Sequence, residues 1–146
     1  MWTNNVPSSE KSLSSWANGC STSTKVITNT TSAGTNRLMG GFWANVAKTS
    51  TNSNRSSLDQ ARMALLQQVL AAILNKYTLG TSDGGLIATA KSAYCGTNVT
   101  AITSSTDALG TFNQSGDTVS LNFPNQAADP GGAKLQANIP YWNTTK

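Results

Sequence analysis

The side chains that could perform catalysis in this sequence are few and widely spaced. Its 146 residues include no histidine, so the commonest general base and the commonest metal ligand are both absent. A lysine can activate a serine instead, and the spacing S-x-x-K occurs at Ser8 and Lys11. Because that segment is polar and has no apolar frame around it, we interpret both residues as ordinary surface positions.

A pair of carboxylates could hydrolyse a glycosidic bond if the fold brought two of them together. The acidic residues are Glu10, Asp59, Asp83, Asp107, Asp117 and Asp129. Asp59 lies where a helix is predicted to begin. Asp83, Asp117 and Asp129 lie next to or one residue from Gly or Pro, as aspartates in turns do. The calcium-loop pattern D-x-[DN]-x-[DN]-G is absent. The sequence therefore predicts no catalytic residue, no metal site and no cofactor.

Charged residues are scarce, at 11% of the chain, and the formal net charge is +4. Ser, Thr and Asn together occupy 53 of the 146 positions, so the surface is expected to be polar but weakly charged. The ten basic residues are spread singly rather than in runs, which disfavours a nucleic-acid partner. No apolar run approaches the length of about 18 residues that a membrane helix needs, so no membrane span is predicted.

The two cysteines, Cys20 and Cys95, are 75 positions apart. No metal-binding or C-x-x-C spacing accompanies them, so a structural disulfide is favoured over a redox pair. Closing so long a loop stabilises a fold by about 4 kcal/mol in the chain-entropy model. A disulfide implies an oxidising compartment, which predicts a secreted or cell-surface protein. Residues 1–5 are polar and form no signal peptide, so we expect a removed leader or a longer parent chain.

Aromatic residues are the remaining candidates for binding a ligand. Trp2, Trp16, Tyr141 and Trp142 lie towards the two chain ends and are predicted contacts for a ligand or a second subunit. As a platform for sugar rings they would make the protein a glycan-binding module, whereas as buried anchors they would fasten the ends. Trp43 is predicted to belong to the core, because apolar residues flank it on its N-terminal side.

The elements that position these residues centre on a three-helix core at about 57–115. Ser57 and Gln60 match a capping box, Gly80 is a natural helix end, and the apolar residues between them form a wide stripe. A second helix is predicted to end near Cys95, with a third beyond it. The breadth of the first stripe predicts that this helix is central and covered on more than one side.

Alternating polar and apolar residues after the helices predict β-strands. Thr118–Phe123 and Lys134–Ile139 alternate in this way and are predicted to form an antiparallel pair. A β-branched run at Lys25–Thr31 is a further strand candidate, and residues 42–47 fit a short helix or turn. The expected fold class is α+β, a single domain with an irregular, polar N-terminal arm, a helical core and a β-rich C-terminal segment. The bounds of these parts are 1–36, 37–116 and 117–146.

Three segments of the helical core carry a recognisable pattern. They are L-L-Q-Q-V-L-A-A-I-L-N-K-Y-T-L-G at 65–80, I-A-T-A-K-S-A-Y at 87–94 and T-D-A-L-G-T-F-N-Q-S-G-D at 106–117, and G-F-W precedes them at 41–43. Their order and spacing resemble helical modules of secreted bacterial surface and adhesin-like proteins, which typically carry a Q-x-x-A-A-x-L-N helix, an Ala-rich helix and a closing L-x-x-[FY]-N-x-G segment. The resemblance covers less than half of the chain and implies a helical module with no assigned activity.

Together these features predict a non-enzymatic extracellular structural module, a self-assembling subunit of a surface layer, filament or matrix. A weakly charged surface with many hydrogen-bonding groups suits packed assemblies. A glycan-binding module that contacts surface glycans is the alternative, and a small secreted hydrolase is the second alternative. Because residues 1–36 hold few apolar side chains, the chain ends are predicted to join neighbouring subunits by strand addition. The competing prediction is that both ends pack on their own chain.

Overall fold

The computed structural model describes residues 2–30, 36–115 and 135–146, and these ranges are helical in character. The α-helices are α1 (Trp2–Asn5), α2 (Ser8–Lys11), α3 (Arg37–Trp43), α4 (Ser57–Leu79), α5 (Leu86–Cys95) and α6 (Val99–Ser115). Short 3-10 helices cover Leu13–Ser15, Asn18–Cys20 and Pro140–Asn143. No helix within the described ranges is long and apolar enough to cross a membrane.

Helix α4 begins where the sequence predicts a helix, with its cap one residue earlier. Ser56 rather than Ser57 is the cap, and its Oγ accepts the N–H of Asp59 at 3.1 Å. Gln60 does not make the reciprocal bond of a capping box, because its Nε2 donates to the carbonyl of Arg55 at 3.0 Å instead of accepting the N–H of the cap residue. Gly80 ends the helix with a φ of 68°, the left-handed conformation that favours glycine. Either serine can cap a helix, so the predicted cap is shifted by one residue, and the predicted reciprocal role of Gln60 is wrong.

Helix α4 is the centre of the core. It packs against α1, α3, α5 and α6, as its wide apolar stripe predicts. Its fully buried residues include Leu65, Leu66, Val69, Leu70 and Ile73. Helices α5 and α6 lie where the second and third helices are predicted, and they add Ile87, Tyr94, Ile102 and Leu109 to this core. The three helices pack against one another, and both ends of the chain add buried residues to the same core.

The predicted strand Lys25–Thr31 is absent from the part of that range that the structure describes. One isolated antiparallel bridge joins Val26 to Ser12, and the N–H of Ile27 donates to the carbonyl of Lys11 at 2.8 Å. Ile27 is fully buried, whereas Val26 is 44% exposed. The segment also accepts the N–H of Leu38 at the carbonyl of Thr28, at 2.9 Å, so it bonds several separate segments singly and Ile27 acts as a buried anchor rather than as part of a sheet.

The predicted C-terminal β pair is wrong, and so is the α+β class. The run Lys134–Ile139 is helical at 135–137 and leads through a turn into the last 3-10 helix. Its proposed partner, Thr118–Phe123, lies outside the described residues. The alternation does not mark one buried face, because Leu135 is 62% exposed whereas the polar Gln136 is buried. Beyond two isolated bridges, the described ranges contain no β-pairing.

Helix α3 lies earlier in the chain than the short helix or turn predicted at 42–47. Its two glycines face inwards and let neighbouring segments approach closely. A Cβ on Gly40 would lie 2.9 Å from the carbonyl oxygen of Gln136, and one on Gly41 would lie 2.8 Å from a methyl group of Leu70. Both glycines are therefore needed for α3 to pack between α4 and the C-terminal segment, and this packing decides which residues of α3 face outwards.

Candidate functional site

The two cysteines form a disulfide between the N-terminal segment and helix α5. Cys20 ends the second 3-10 helix, Cys95 is the last residue of α5, and their Cα atoms are 5.1 Å apart. The two residues are buried, at 1% and 3% exposure. Gly19 has no room for a side chain, because a Cβ there would collide with the carbonyl of Cys95. The predicted disulfide is therefore confirmed, at a tightly packed contact.

Cationic side chains bind the backbone carbonyls at the end of helix α5, next to the disulfide. Arg62 of α4 donates its Nε to the carbonyl of Tyr94 at 2.9 Å and an Nη to the carbonyl of Gly96 at 2.5 Å. Lys146 donates its Nζ to the carbonyl of Cys95 at 3.4 Å. Positive charge suits the carbonyl end of a helix dipole. The disulfide contact is thus reinforced from both α4 and the C-terminal residue.

A largely buried ion pair attaches helix α2 to the core. Glu10 of α2 contacts the Nζ of Lys91 on α5, and their side chains are 16% and 10% exposed. The hydroxyl of Tyr77 donates to the second carboxylate oxygen of Glu10 at 3.2 Å, while the Glu10 carbonyl accepts the indole N–H of Trp16 at 2.9 Å. Burial and the neighbouring Glu10 carboxylate raise the pKa of Tyr77. Glu10 therefore binds α4, α5 and its own segment at once.

A second group of buried and half-buried side chains, which we call the basic–aromatic cluster, joins the two chain ends. It consists of Lys25, Arg37, Arg55, Tyr141 and Trp142. The Nζ of Lys25 donates to the carbonyl of Tyr141 at 2.5 Å and lies 4.3 Å from the Tyr141 ring centroid and 5.2 Å from that of Trp142. Arg37 lies 4.1 Å from the same Tyr141 centroid, and Arg55 donates to the Trp142 carbonyl at 2.6 Å.

Within this cluster no carboxylate from the described part of the chain forms an ion pair with Lys25. Burial lowers the pKa of Lys25 from 10.5 to about 8, and the nearby charges of Arg37 and Arg55 act in the same direction. The aromatic rings offset part of this cost through cation–π contacts. No local sequence pattern marks this cluster, because Lys25 and Tyr141 are 116 positions apart.

Three of the four terminal aromatic residues are buried anchors. Trp2, Trp16 and Trp142 are 2%, 7% and 1% exposed, and each donates its indole N–H to a backbone carbonyl at 2.8–3.0 Å. The acceptors are Ile27, Glu10 and Arg37. Tyr141 is half-buried, with its ring beside two cations. The three buried indoles offer no free face to a sugar ring, and they hold the ends on the helices.

Both chain ends therefore pack on their own chain. The N-terminal segment contributes buried apolar side chains from Trp2 to Ile27, and the C-terminal Thr145 is 2% exposed. The hydroxyl of Tyr94 donates to the carbonyl of Thr145, whose own hydroxyl donates to Asp59 at 2.7 Å. Strand addition by these ends loses its basis, because the described parts of both candidate runs are not strands.

Trp43 differs from the other three tryptophans. It is 62% exposed, so the prediction that it belongs to the core is wrong. Its indole N–H makes no hydrogen bond within the residues that the structure describes. The inward positions of α3 are taken by Gly40 and Gly41, which leaves the indole outside.

The remaining catalytic candidates have structural contacts. Ser8 is exposed, and the Nζ of Lys11 donates to a backbone carbonyl in α1 at 3.1 Å, so the S-x-x-K pair is not assembled for catalysis. Asp83 pairs with Lys76 at 2.9 Å and accepts the N–H of Ile87 at 2.9 Å. No group of three metal-ligating residues occurs in the described ranges. Outside those ranges lie Asp117 and Asp129.

Comparisons with protein-family models, with curated proteins and with solved structures find no match for this chain. The resemblance of residues 65–117 to helical modules of bacterial surface proteins therefore stays a prediction.

Proposed function

We propose that this chain is a non-catalytic, extracellular structural module that assembles with copies of itself. The observation that carries this proposal is the use of the buried charged side chains. Lys25, Arg55, Arg62 and Lys91 all contact backbone carbonyls or a carboxylate that hold a chain end or the disulfide contact in place. In an enzyme we would expect some buried titratable groups to face a cleft.

The compartment follows from the disulfide. A buried bond that closes a 75-residue loop is typical of proteins that fold in an oxidising environment, which supports a secreted or cell-surface location. The resemblance to helical modules of bacterial surface proteins points the same way. A weakly charged surface rich in Ser, Thr and Asn presents little repulsion between copies and many hydrogen-bonding groups, which favours assembly in a layer, filament or matrix.

The assembly is tested by size-exclusion chromatography with light scattering over a wide range of protein concentrations, followed by electron microscopy of the most concentrated fraction. We expect the average mass to rise with concentration above 15.2 kDa and ordered oligomers or filaments to appear. A protein that stays monomeric at every concentration would contradict the assembly part of the proposal.

The compartment is tested by thiol labelling. Protein isolated without reductant and unfolded in denaturant should have no reactive thiol, and the same sample after reduction should have two, at Cys20 and Cys95. Two reactive thiols before reduction would show that the disulfide is absent. The main argument for an extracellular location would then be lost.

A further inference from the structure

The sequence contains five copies of the tripeptide N-x-S/T, the sequon at which secreted proteins accept N-linked glycans. In a chain so rich in Asn, Ser and Thr several copies arise by chance, so the motif alone does not identify a modified residue. The five sequons begin at Asn29, Asn54, Asn98, Asn113 and Asn143. They differ in how the folded protein uses their side chains.

The sequon at 98–100 lies on the surface, where α5 connects to α6. Its three residues are all exposed, and the middle one, Val99, is 40% exposed. The Oδ1 of Asn98 accepts the N–H of Ala101 at 3.1 Å, as a residue that caps a helix does. The Nδ2 of Asn98, which is the atom that receives a sugar, donates no hydrogen bond within the described ranges. The acceptor atom is therefore open to solvent.

At Asn113 the same amide is used inside the protein. Its Nδ2 donates to the backbone carbonyl and to the side-chain oxygen of Gln68, at 3.0 and 2.9 Å. Its Oδ1 accepts the Nδ2 of Asn75 at 3.1 Å. A sugar on this Nδ2 would replace one of its two hydrogens and would displace contacts that join α4 to α6. A chain modified at Asn113 is therefore not expected to reach this fold.

Two other sequons are partly buried. The Oδ1 of Asn143 accepts the N–H of Ser50 at 2.8 Å, and the third residue of this sequon, Thr145, is 2% exposed. In the sequon that begins at Asn54, the middle residue is Arg55, which is 6% exposed. Neither tripeptide can be bound along its whole length by another protein without opening the fold.

We propose that Asn98 is a glycosylation site, modified by a glycosyltransferase of the secretory compartment. This inference rests on the extracellular location in the proposed function and names a modification that such a location allows. Among the sequons that the structure describes in full, 98–100 is the only one whose three residues are all exposed. The third residue of the sequon at Asn29 lies outside the described residues.

The transfer needs an activated sugar donor, a lipid-linked oligosaccharyl diphosphate. A bond forms between the Nδ2 of Asn98 and the anomeric carbon of the first sugar, while the bond between that carbon and the diphosphate oxygen breaks. The released diphosphate takes up one Nδ2 proton, and nothing is oxidised or reduced. The Oδ1 remains an amide oxygen that can accept the N–H of Ala101. Glycosylation therefore leaves the cap of α6 in place.

The test is expression of the full chain behind a secretion signal in a eukaryotic host, whose secretory pathway contains such a transferase. An amidase that removes N-glycans is applied to the secreted protein in heavy-oxygen water, and peptide mapping then locates every asparagine converted to labelled aspartate. We expect the label at Asn98 and no label at Asn113 or Asn143. Folding should select chains in which the buried amides are unmodified.

Thr100→Ala and Thr100→Ser are the matched variants. Both keep Asn98 and its cap, but only Thr100→Ser keeps the acceptor pattern. We expect Thr100→Ala to lose the glycan at Asn98, seen as a shift to lower mass, and Thr100→Ser to retain it. Equal circular dichroism spectra of the two variants would show that the loss is not caused by misfolding.

An unmodified Asn98 in secreted protein whose disulfide is intact would overturn this inference and leave the proposed function in place. Labelling of Asn113 as strong as that of Asn98, or a glycan at Asn98 that persists in Thr100→Ala, would also overturn it. In those cases neither exposure nor the motif would select the site. Reactive thiols at Cys20 and Cys95 would instead contradict the extracellular location on which the inference rests.

Discussion

The N-terminal segment, 2–30, and the C-terminal segment, 135–146, both pack on the helices but are fastened by different means. The N-terminal segment has a disulfide, the ion pair of Glu10 and several buried apolar residues. The C-terminal segment has one large anchor, Trp142, and backbone carbonyls that accept hydrogen bonds from Lys25 and Arg55. Its fastening depends in part on the other segment, since Lys25 belongs to the N-terminal one, whereas Arg55 and Tyr94 bind it from the core. A short polar segment can therefore be ordered by a few long-range contacts.

The largest effect is expected for Trp142→Ala. The indole is 1% exposed, lies close to both glycines of α3 and donates to the carbonyl of Arg37 at 3.0 Å. Its loss should cost about 3–5 kcal/mol of unfolding free energy, measured by urea denaturation. Tyr141→Phe is the control, because it removes only the hydroxyl that contacts the backbone of Val26 and should cost about 1 kcal/mol. Equal losses for the two variants would mean that Trp142 is not the main anchor.

Glu10→Gln should destabilise the protein by about 3 kcal/mol. Lys91 would keep its charge in a site that is mostly buried, without the carboxylate that compensates it. Chemical denaturation at neutral pH measures the loss. The double variant Glu10→Gln, Lys91→Met should recover a large part of it, because the unpaired charge is removed as well. A double variant as unstable as the single one would show that the ion pair does not determine how α2 is attached.

The disulfide is expected to contribute about 2–4 kcal/mol. Cys20→Ser, Cys95→Ser should lower the unfolding free energy by this amount, because the unfolded chain regains the freedom of a 75-residue loop. Limited proteolysis of the variant should then cut within the N-terminal segment first, since its other contacts are non-covalent. First cleavage inside α4 would contradict the conclusion that the disulfide fastens the N-terminal segment.

Local signals explain what sequence analysis predicts correctly. Helix α4 has a cap, a wide stripe and Gly80, all within one stretch of chain, and the disulfide needs only two cysteines. The errors involve long-range contacts. The alternation at 134–139 predicts a strand, yet Gln136 faces inwards to accept the N–H of Asn36 at 3.0 Å. The outward direction of Trp43 follows from neighbours that only the folded chain brings to α3.

The smallest effect concerns the pH dependence that Lys25 confers. Its pKa is about 8 in the folded protein and near 10.5 in an unfolded chain. Between these values the unfolded chain binds more protons, so the unfolding free energy rises with pH above about 8. Below pH 8 both states are protonated, and the cost of the buried charge is fully present. The measurement should end near pH 9.5, because the raised pKa values of Tyr77 and Tyr141 reverse the trend once unfolded tyrosines ionise.

Urea denaturation at a series of pH values checks this expectation. The wild type should gain about 1–2 kcal/mol between pH 7.5 and 9.5, of the order that a shift of one to two pKa units carries. Lys25→Met should lose this rise, because methionine keeps the apolar stem and has no proton to exchange. Lys48→Met should retain the rise, because the amine of Lys48 is exposed and contacts Asn54. A rise that persists in Lys25→Met would mean that another group causes it. In that case, burial of the Lys25 charge would not lower the unfolding free energy.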